Sequence, residues 1–268
     1  MQVPDWTGSE KGICRMSLLE KYRKEAETFL KVCHKLSKLM YVTGHGGNAA
    51  WKLDKDLMII TPTQMNKGDI QLENLCFLDL KGNKLEGTNR PTGETPMYIN
   101  FFKRRPDIVS VLHCHPPYTN AFAITQQENL LMRPMFPETT TEVGPVPVVP
   151  YGEPLTQRLA DNFNPFMDKY NAFLMENHGL VIMSPWDINW VMMTTELLEM
   201  TSITLTAAAP LGKMKDISVP DLRNLDNIMS RRGLPMFGAP GVNKSLVDLY
   251  YPELAGKTAA GTEKAAAR

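Results

Sequence analysis

The sequence has no surplus of charge of either sign: 29 Lys and Arg residues balance 29 Asp and Glu residues over 268 positions. No overall basic field is therefore available to draw the chain to nucleic acid or to an anionic membrane surface, and neither is expected as a partner. There is also no apolar run approaching the ~18–20 residues that a spanning helix needs. Residues 1–16 carry Asp5, Glu10, Lys11 and Arg15 where a secretory signal would have an apolar core. Cysteine is sparse and scattered: Cys14, Cys33, Cys76 and Cys114 form no C-x-x-C pair. Such a set reads as reduced, mostly buried thiols of a cytoplasmic protein, not as a disulfide framework. Histidine is nearly as rare, with five residues in all, so a cluster of histidines carries weight.

What is present is an ordinary globular composition, 43% hydrophobic and 22% charged, in a chain long enough to bury a real core. Ser17 caps an expected helix to about Met40, in which Leu18, Tyr22, Phe29, Val32 and Leu36 make one apolar stripe. A glycine-dense turn, Thr43 to Asn48, leads to expected strands over 49–53 and 57–61 around an Asp-Lys-Asp turn, and over 75–80. A helix is expected over 95–105, a β-prone strand over 108–113, a short helix over 118–125 and a proline-weakened strand over 146–149. Then come a helix opened by Pro154, a hairpin of 172–175 and 180–183 around Asn177-His178-Gly179, and a long helix from Trp186 to Ala208. Past Pro210 the pattern is mostly irregular, with one helix from Pro220 to about Arg232. Strands and helices mingle without strict β-α-β alternation, which predicts one α/β or α+β domain with a mixed or antiparallel sheet.

His113-Cys114-His115 ends a predicted strand. Residues i and i+2 of a strand share a face, so both imidazoles point one way and Cys114 the other, as in half of a metal site. His178 lies in the turn of the later hairpin, where Gly179 lets the backbone bend. Alone it is equally a satisfied turn histidine. Three neutral imidazoles with one open position make a catalytic zinc arrangement. Glu94, just before a helix, can reach such a site, although a first-turn acid is also what the helix dipole favours in solvent. The turn Gly44 to Asn48 and the run Thr61-Pro62-Thr63 can offer N–H and hydroxyl groups to an anion, but they match neither a P-loop nor a Rossmann fingerprint. His45 adjoins that turn, and His34 has no assigned role.

Five ordered blocks carry a resemblance: Gly46-Gly47-Asn48, Ile60-Thr61-Pro62-Thr63, Thr92-Gly93-Glu94, His113-Cys114-His115 and Asn177-His178-Gly179-Leu180. Over residues 17–210 the chain resembles the class II aldolase/adducin family, which includes fuculose-phosphate and rhamnulose-phosphate aldolases and ribulose-phosphate 4-epimerase. The resemblance implies a three-layer α-β-α domain with a central, mainly antiparallel sheet, and a homotetramer with active sites between subunits. It implies Zn2+ on His113, His115 and His178, with Glu94 as both resting ligand and acid/base. It places Gly47, Asn48, Thr63, Thr92 and Gly93 at the phosphate of a small-molecule sugar phosphate. The implied reaction is retro-aldol cleavage of a ketose 1-phosphate to dihydroxyacetone phosphate and an aldehyde.

The chain departs from the sugar-phosphate aldolases at His45 and Gln64, at Gly93, which replaces a phosphate-holding serine, and at Phe136, near the place of a helper tyrosine. Glu138 and Glu142 add acid nearby, and Tyr250 and Tyr251 are candidates for a mobile C-terminal tyrosine. These changes keep open a metal-dependent decarboxylase of a β-keto or aromatic acid and a sugar-phosphate 4-epimerase. Two readings lie outside this class. An iron oxygenase of the cupin kind would want a glutamate soon after His115, and a non-catalytic module like the adducin head can dispense with the metal residues, all of which remain here. The expected organisation is an arm over 1–16, the family domain over 17–210, an extension over 211–255 and a disordered tail over 256–268. The extension can gate the site, contact a neighbour or address the enzyme to an assembly such as a bacterial microcompartment.

Overall fold

Side-chain alternation along the central strands sets the layering. The computed structural model describes residues 16–254, so the expected tail and the expected arm, Met16 apart, lie outside the described residues. In chain order the elements are α1 (Leu18–Lys21), α2 (Arg23–Lys38), β1 (Asn48–Asp54), β2 (Leu57–Ile60), β3 (Cys76–Leu78), β4 (Lys84–Glu86), α3 (Thr95–Arg104) and β5 (Ser110–Cys114). There follow α4 (Pro117–Ala123), α5 (Pro137–Glu142), β6 (Val148–Val149), α6 (Gln157–Asn162), β7 (Ala172–Met175), β8 (Gly179–Ser184), α7 (Ile188–Ala208), α8 (Val219–Arg232) and α9 (Leu246–Tyr250). The eight strands form one sheet in the order β4-β3-β2-β1-β5-β8-β7-β6. Every pairing is antiparallel except β6 with β7.

Ala49, Leu112, Cys114, Leu180 and Ile182 face one layer, with α2 and α7. Ala50, Val111, Val181 and Met183 face the other, with α3 and α6. Being covered on both sides, β5, β7 and β8 are buried at every residue and not in alternation, and β7 and most of β8 are apolar runs. On α2, Ala26, Phe29, Cys33 and Leu36 recur every three or four residues and are fully buried. Removing each of the larger side chains from water contributes about 1.5–3 kcal/mol. Asp187 caps α7 by accepting from the Asn189 and Trp190 N–H groups, worth about 1 kcal/mol. No helix among the described residues is long and apolar enough to cross a membrane.

Three expectations change. The predicted first helix is broken: Ser17 caps α1 through a capping box with Glu20, but Tyr22 leaves helical geometry (φ −112, ψ 32) before α2 begins. The helix opened by Pro154 starts only at Gln157, because Leu155 takes a positive φ of 69 and Thr156 supplies the cap. Residues 211–254 are less irregular than predicted. Helices α8 and α9 pack around Leu222, Met229, Phe237, Leu246, Val247 and Leu249. Arg105, 1% exposed, ties this region to the sheet layers by donating to Gly238 O and Met167 O, both at 2.7 Å, while pairing with Asp107 at 2.8 Å.

Candidate metal centre

The site gathers where β1 begins, β5 ends and β8 begins. In the β1–β5 ladder Asn48 lies opposite His113, so both side chains stand on the α3 face of the sheet. His115 follows the strand end on the same face, and its N–H donates to Tyr41 O at 2.7 Å. Cys114 faces the opposite layer, as the alternation predicts. His178 enters from the β7–β8 turn, which Asn177 closes in a left-handed conformation (φ 54) while its N–H donates to Ala123 O. Glu94 is the N-cap residue of α3, but its carboxylate makes no capping bond and is 5% exposed, so the solvated first-turn reading does not apply.

The ring nitrogens of His113, His115 and His178 all lie within 4.8 Å of one another and can hold a metal ion. His113 Nδ1 faces the Leu180 carbonyl at 2.9 Å, so it carries the proton and leaves Nε2 with a lone pair toward the centre. His113 Nε2 and His115 Nε2 are 3.2 Å apart. Two nitrogens bound at about 2.0–2.1 Å to a tetrahedral ion stand about 3.3 Å apart, so the pair fits one. Glu94 Oε2 is 3.8 Å from His113 Nε2, and Oε1 is 3.9 Å from His178 Nε2. These are not ion pairs, because the rings are neutral. Burial, with neighbouring imidazole charge, pushes His113 and His115 down to about 3, and burial also lowers His178. Neutral imidazole is the form that ligates metal.

The backbone is shaped for this cluster. A Cβ on Gly179 would stand 2.5 Å from His115 Cδ2, 2.8 Å from Cys114 O and 2.9 Å from His113 Cε1. Only glycine lets β8 start this close to both rings. Immediately after His115, α4 is held by Glu199 of α7. This buried carboxylate accepts from Tyr118 N–H, Thr119 N–H and the Thr119 hydroxyl at 2.7–3.0 Å. From α4, Asn120 donates to His178 O at 3.2 Å, and Asn120 Oδ1 and His178 Nδ1 are both buried without a partner.

Of the predicted anion-binding residues, Gly47, Asn48, Thr63, Thr92 and Gly93 all line the same cavity of about 220 Å³ as Glu94 and the three histidines. His45 and Gln64, two of the departures, line it too, and Gln64 adopts a positive φ of 57. Gly93 has a physical counterpart: Leu155 Cδ2 occupies the space of its missing side chain, 2.9 Å from where a Cβ would stand. The cavity's described lining does not include Phe136, Glu138, Glu142, Tyr250 or Tyr251. Glu142 pairs with Arg232 at 2.7 Å, and Tyr251 donates to Asp216.

Two site residues escaped the sequence reading. Tyr98, fully buried on α3 one turn after Glu94, donates to Asn48 Oδ1 at 2.6 Å, and Asn48 Nδ2 in turn donates to Glu94 Oε2 at 2.9 Å. Lys67, 1% exposed, lines the cavity and donates to Met65 O at 2.9 Å and His45 O at 3.3 Å.

A family model described as the class II aldolase and adducin N-terminal domain matches residues 27–202. An L-fuculose phosphate aldolase of Methanococcus maripaludis (strain C5) is 32% identical over 171 residues, 64% of this chain and 90% of that protein. A 3-oxo-tetronate 4-phosphate decarboxylase of Haemophilus influenzae is 28% identical over 187 residues, 69% of this chain and 89% of that protein. The crystal structure of YgbL from Klebsiella pneumoniae superposes with a TM-score of 0.70 at 26% identity, covering 76% of this chain and 98% of that one.

Proposed function

Because this chain belongs to the class II aldolase and adducin family, we propose that it is a zinc-dependent lyase releasing dihydroxyacetone phosphate from a ketose 1-phosphate such as fuculose or rhamnulose 1-phosphate. The observation that carries the reading is the convergence of three neutral imidazoles on one buried carboxylate at the wall of a small polar cavity. His113, His115 and His178 would hold the ion, with Glu94 as a further resting ligand. A divalent ion held there supplies Lewis-acid stabilisation, worth several kcal/mol, of charge developing on substrate oxygen.

The chain's own residues handle the proton. When the C3–C4 bond breaks, its electron pair stays on C3 and the rest leaves as an aldehyde; on balance, one proton moves from the C4 hydroxyl to C3. Glu94 is the group that serves C3. Its carboxylate is oriented by Asn48, which is itself fixed by Tyr98, and such positioned proton transfer contributes about 10²–10⁴-fold. The phosphate sits toward Thr63, Thr92 and the backbone of Gly47 and Gly93, with the second Nδ2 hydrogen of Asn48 available to it.

A second reading is supported by the decarboxylase relative and by Leu155 filling the space beside Gly93. Loss of carbon dioxide from a 3-oxo-tetronate 4-phosphate leaves the same three-carbon enediolate, and protonation gives the same dihydroxyacetone phosphate. The two chemistries thus share the half-reaction at Glu94. The same reading carries a cytoplasmic homotetramer with sites between subunits, which light scattering of the eluted protein tests.

The deciding experiment addresses the shared step first. Zinc-loaded protein is incubated with dihydroxyacetone phosphate in D2O, and deuterium entry at the hydroxymethyl carbon is followed by proton NMR. Exchange that chelator abolishes supports both readings. Product release from fuculose 1-phosphate, rhamnulose 1-phosphate or 3-oxo-tetronate 4-phosphate then separates them. Well-metallated protein that shows no exchange and releases no product overturns the proposal.

A further inference from the structure

Three features of Lys67 stand together. It is a lysine with 1% exposure, a rare situation unless the charge is compensated. Two of its three donors are taken by the carbonyls of His45 and Met65, which belong to the two loops that wall the cavity. Among the described residues lining that cavity it is the one lysine or arginine. Burial lowers its pKa from the ordinary lysine value, and the charges of Cys33 and Glu94 oppose that shift. Cys33 is itself a buried thiol pushed up to about 12. Carbonyl acceptors favour the ammonium form further.

The lining points to a ligand class. Beside the histidines and Glu94, the cavity presents the hydroxyls of Thr63 and Thr92, the Asn48 amide and the backbone of Gly47 and Gly93, with Lys67 as the one lysine or arginine among the described lining residues. Hydroxyl and N–H donors around a single ammonium suit a phosphate monoester better than a neutral sugar. We infer that Lys67 is the specificity-determining cation of this pocket, selecting substrates that carry a phosphate over their unphosphorylated counterparts. The inference rests on the sugar-phosphate reading above. Lysine is suited to the task because its ammonium acts as a point charge beneath the loops and does not need a planar partner. In a low-dielectric wall its field reaches a bound anion with little screening.

The test is calorimetric titration of zinc-loaded protein with three probes: inorganic phosphate, dihydroxyacetone phosphate and neutral dihydroxyacetone. Lys67→Met is expected to weaken both phosphate probes about 10- to 100-fold and to leave dihydroxyacetone affinity and zinc content unchanged. Lys67→Arg, which keeps the charge, is expected to restore most of the loss. If Lys67→Met does not fold, Lys67→Gln retains donors for the two carbonyls without the charge and takes its place. In the wild-type protein the 15N resonance of the Lys67 ammonium should move as inorganic phosphate is added. Wild-type protein that binds neither phosphate probe sinks the sugar-phosphate reading and the inference with it. Wild-type binding that both uncharged variants retain within twofold, or a loss equal for charged and neutral probes, overturns the role of Lys67 alone.

Discussion

The Tyr98 hydroxyl and Asn48 Oδ1 meet at 2.6 Å inside the protein, and this contact decides which way the Asn48 amide faces. With its oxygen held by Tyr98, the nitrogen must point at Glu94, where it donates at 2.9 Å. Tyr98→Phe removes the donor and leaves a buried oxygen unpaired, at about 1–3 kcal/mol. The variant is expected to lose that much stability in urea, to turn over more slowly, and to keep its metal. Loss of metal together with activity would mean that Tyr98 supports the fold around the histidines and not the carboxylate.

Glu94→Gln preserves size and one acceptor but cannot carry a proton to carbon. Zinc content, measured by mass spectrometry, should persist on the three imidazoles, while deuterium exchange into dihydroxyacetone phosphate falls at least about 100-fold. Full exchange by this variant would remove Glu94 from the chemistry.

Two glycines of the site should respond in opposite ways to a methyl group. Gly179→Ala places Cβ against the Cys114 backbone and the rings of His115 and His113, at 2.5–2.9 Å, and none of these can swing away. It is expected to weaken zinc binding at least about tenfold, roughly 1.4 kcal/mol, in a chelator competition. In Gly93→Ala the nearest contacts of the new Cβ are all with the Leu155 side chain, of a residue that is 62% exposed. It should leave zinc affinity within about twofold, about 0.4 kcal/mol. Equal losses in both variants would contradict this account of the cradle.

Acid should destabilise the metal-free protein through the buried imidazoles of His113 and His115. His113 and His115 are held down to about 3 in the fold, whereas in the unfolded chain they protonate near pH 6.5. Between these values the unfolded state binds more protons, so stability falls as pH falls through this window. The two together contribute up to about 2.7 kcal/mol per pH unit. Replacing both by Gln should flatten the slope of unfolding free energy between pH 6.5 and 4 relative to wild type. An unchanged slope would mean that other groups govern it.

The parts of this site that were legible in the sequence are those fixed by local geometry. The i, i+2 spacing of His113 and His115 follows from strand alternation, and the turn at Asn177 to Gly179 is announced by its residue types. Tyr98 was not legible, because on a helix its spacing with Met97 and Phe101 reads only as core. What ties it to the site is the pairing of Asn48 with His113 across the sheet, a long-range register that no local pattern contains. Lys67 carries no local signal, because its burial comes with a contact to the His45 loop, 22 positions away. The helix α9 was missed because its five residues are held by packing onto α8 more than by their own periodicity.

The β5–β8 ladder, which pairs His113 with Val181 and Cys114 with Leu180, has a further consequence. Both strands are buried on both faces, so hydrophobicity alone discriminates poorly against a one-residue slip that exchanges the two faces of β5. A slipped chain would look well packed yet offer a thiol where an imidazole belongs. Three nitrogens brought from segments 63–65 positions apart can converge on one ion only when this register is correct. Metal added during refolding would therefore act as a proofreader, draining correctly aligned molecules from a mixture of near-equivalent sheets.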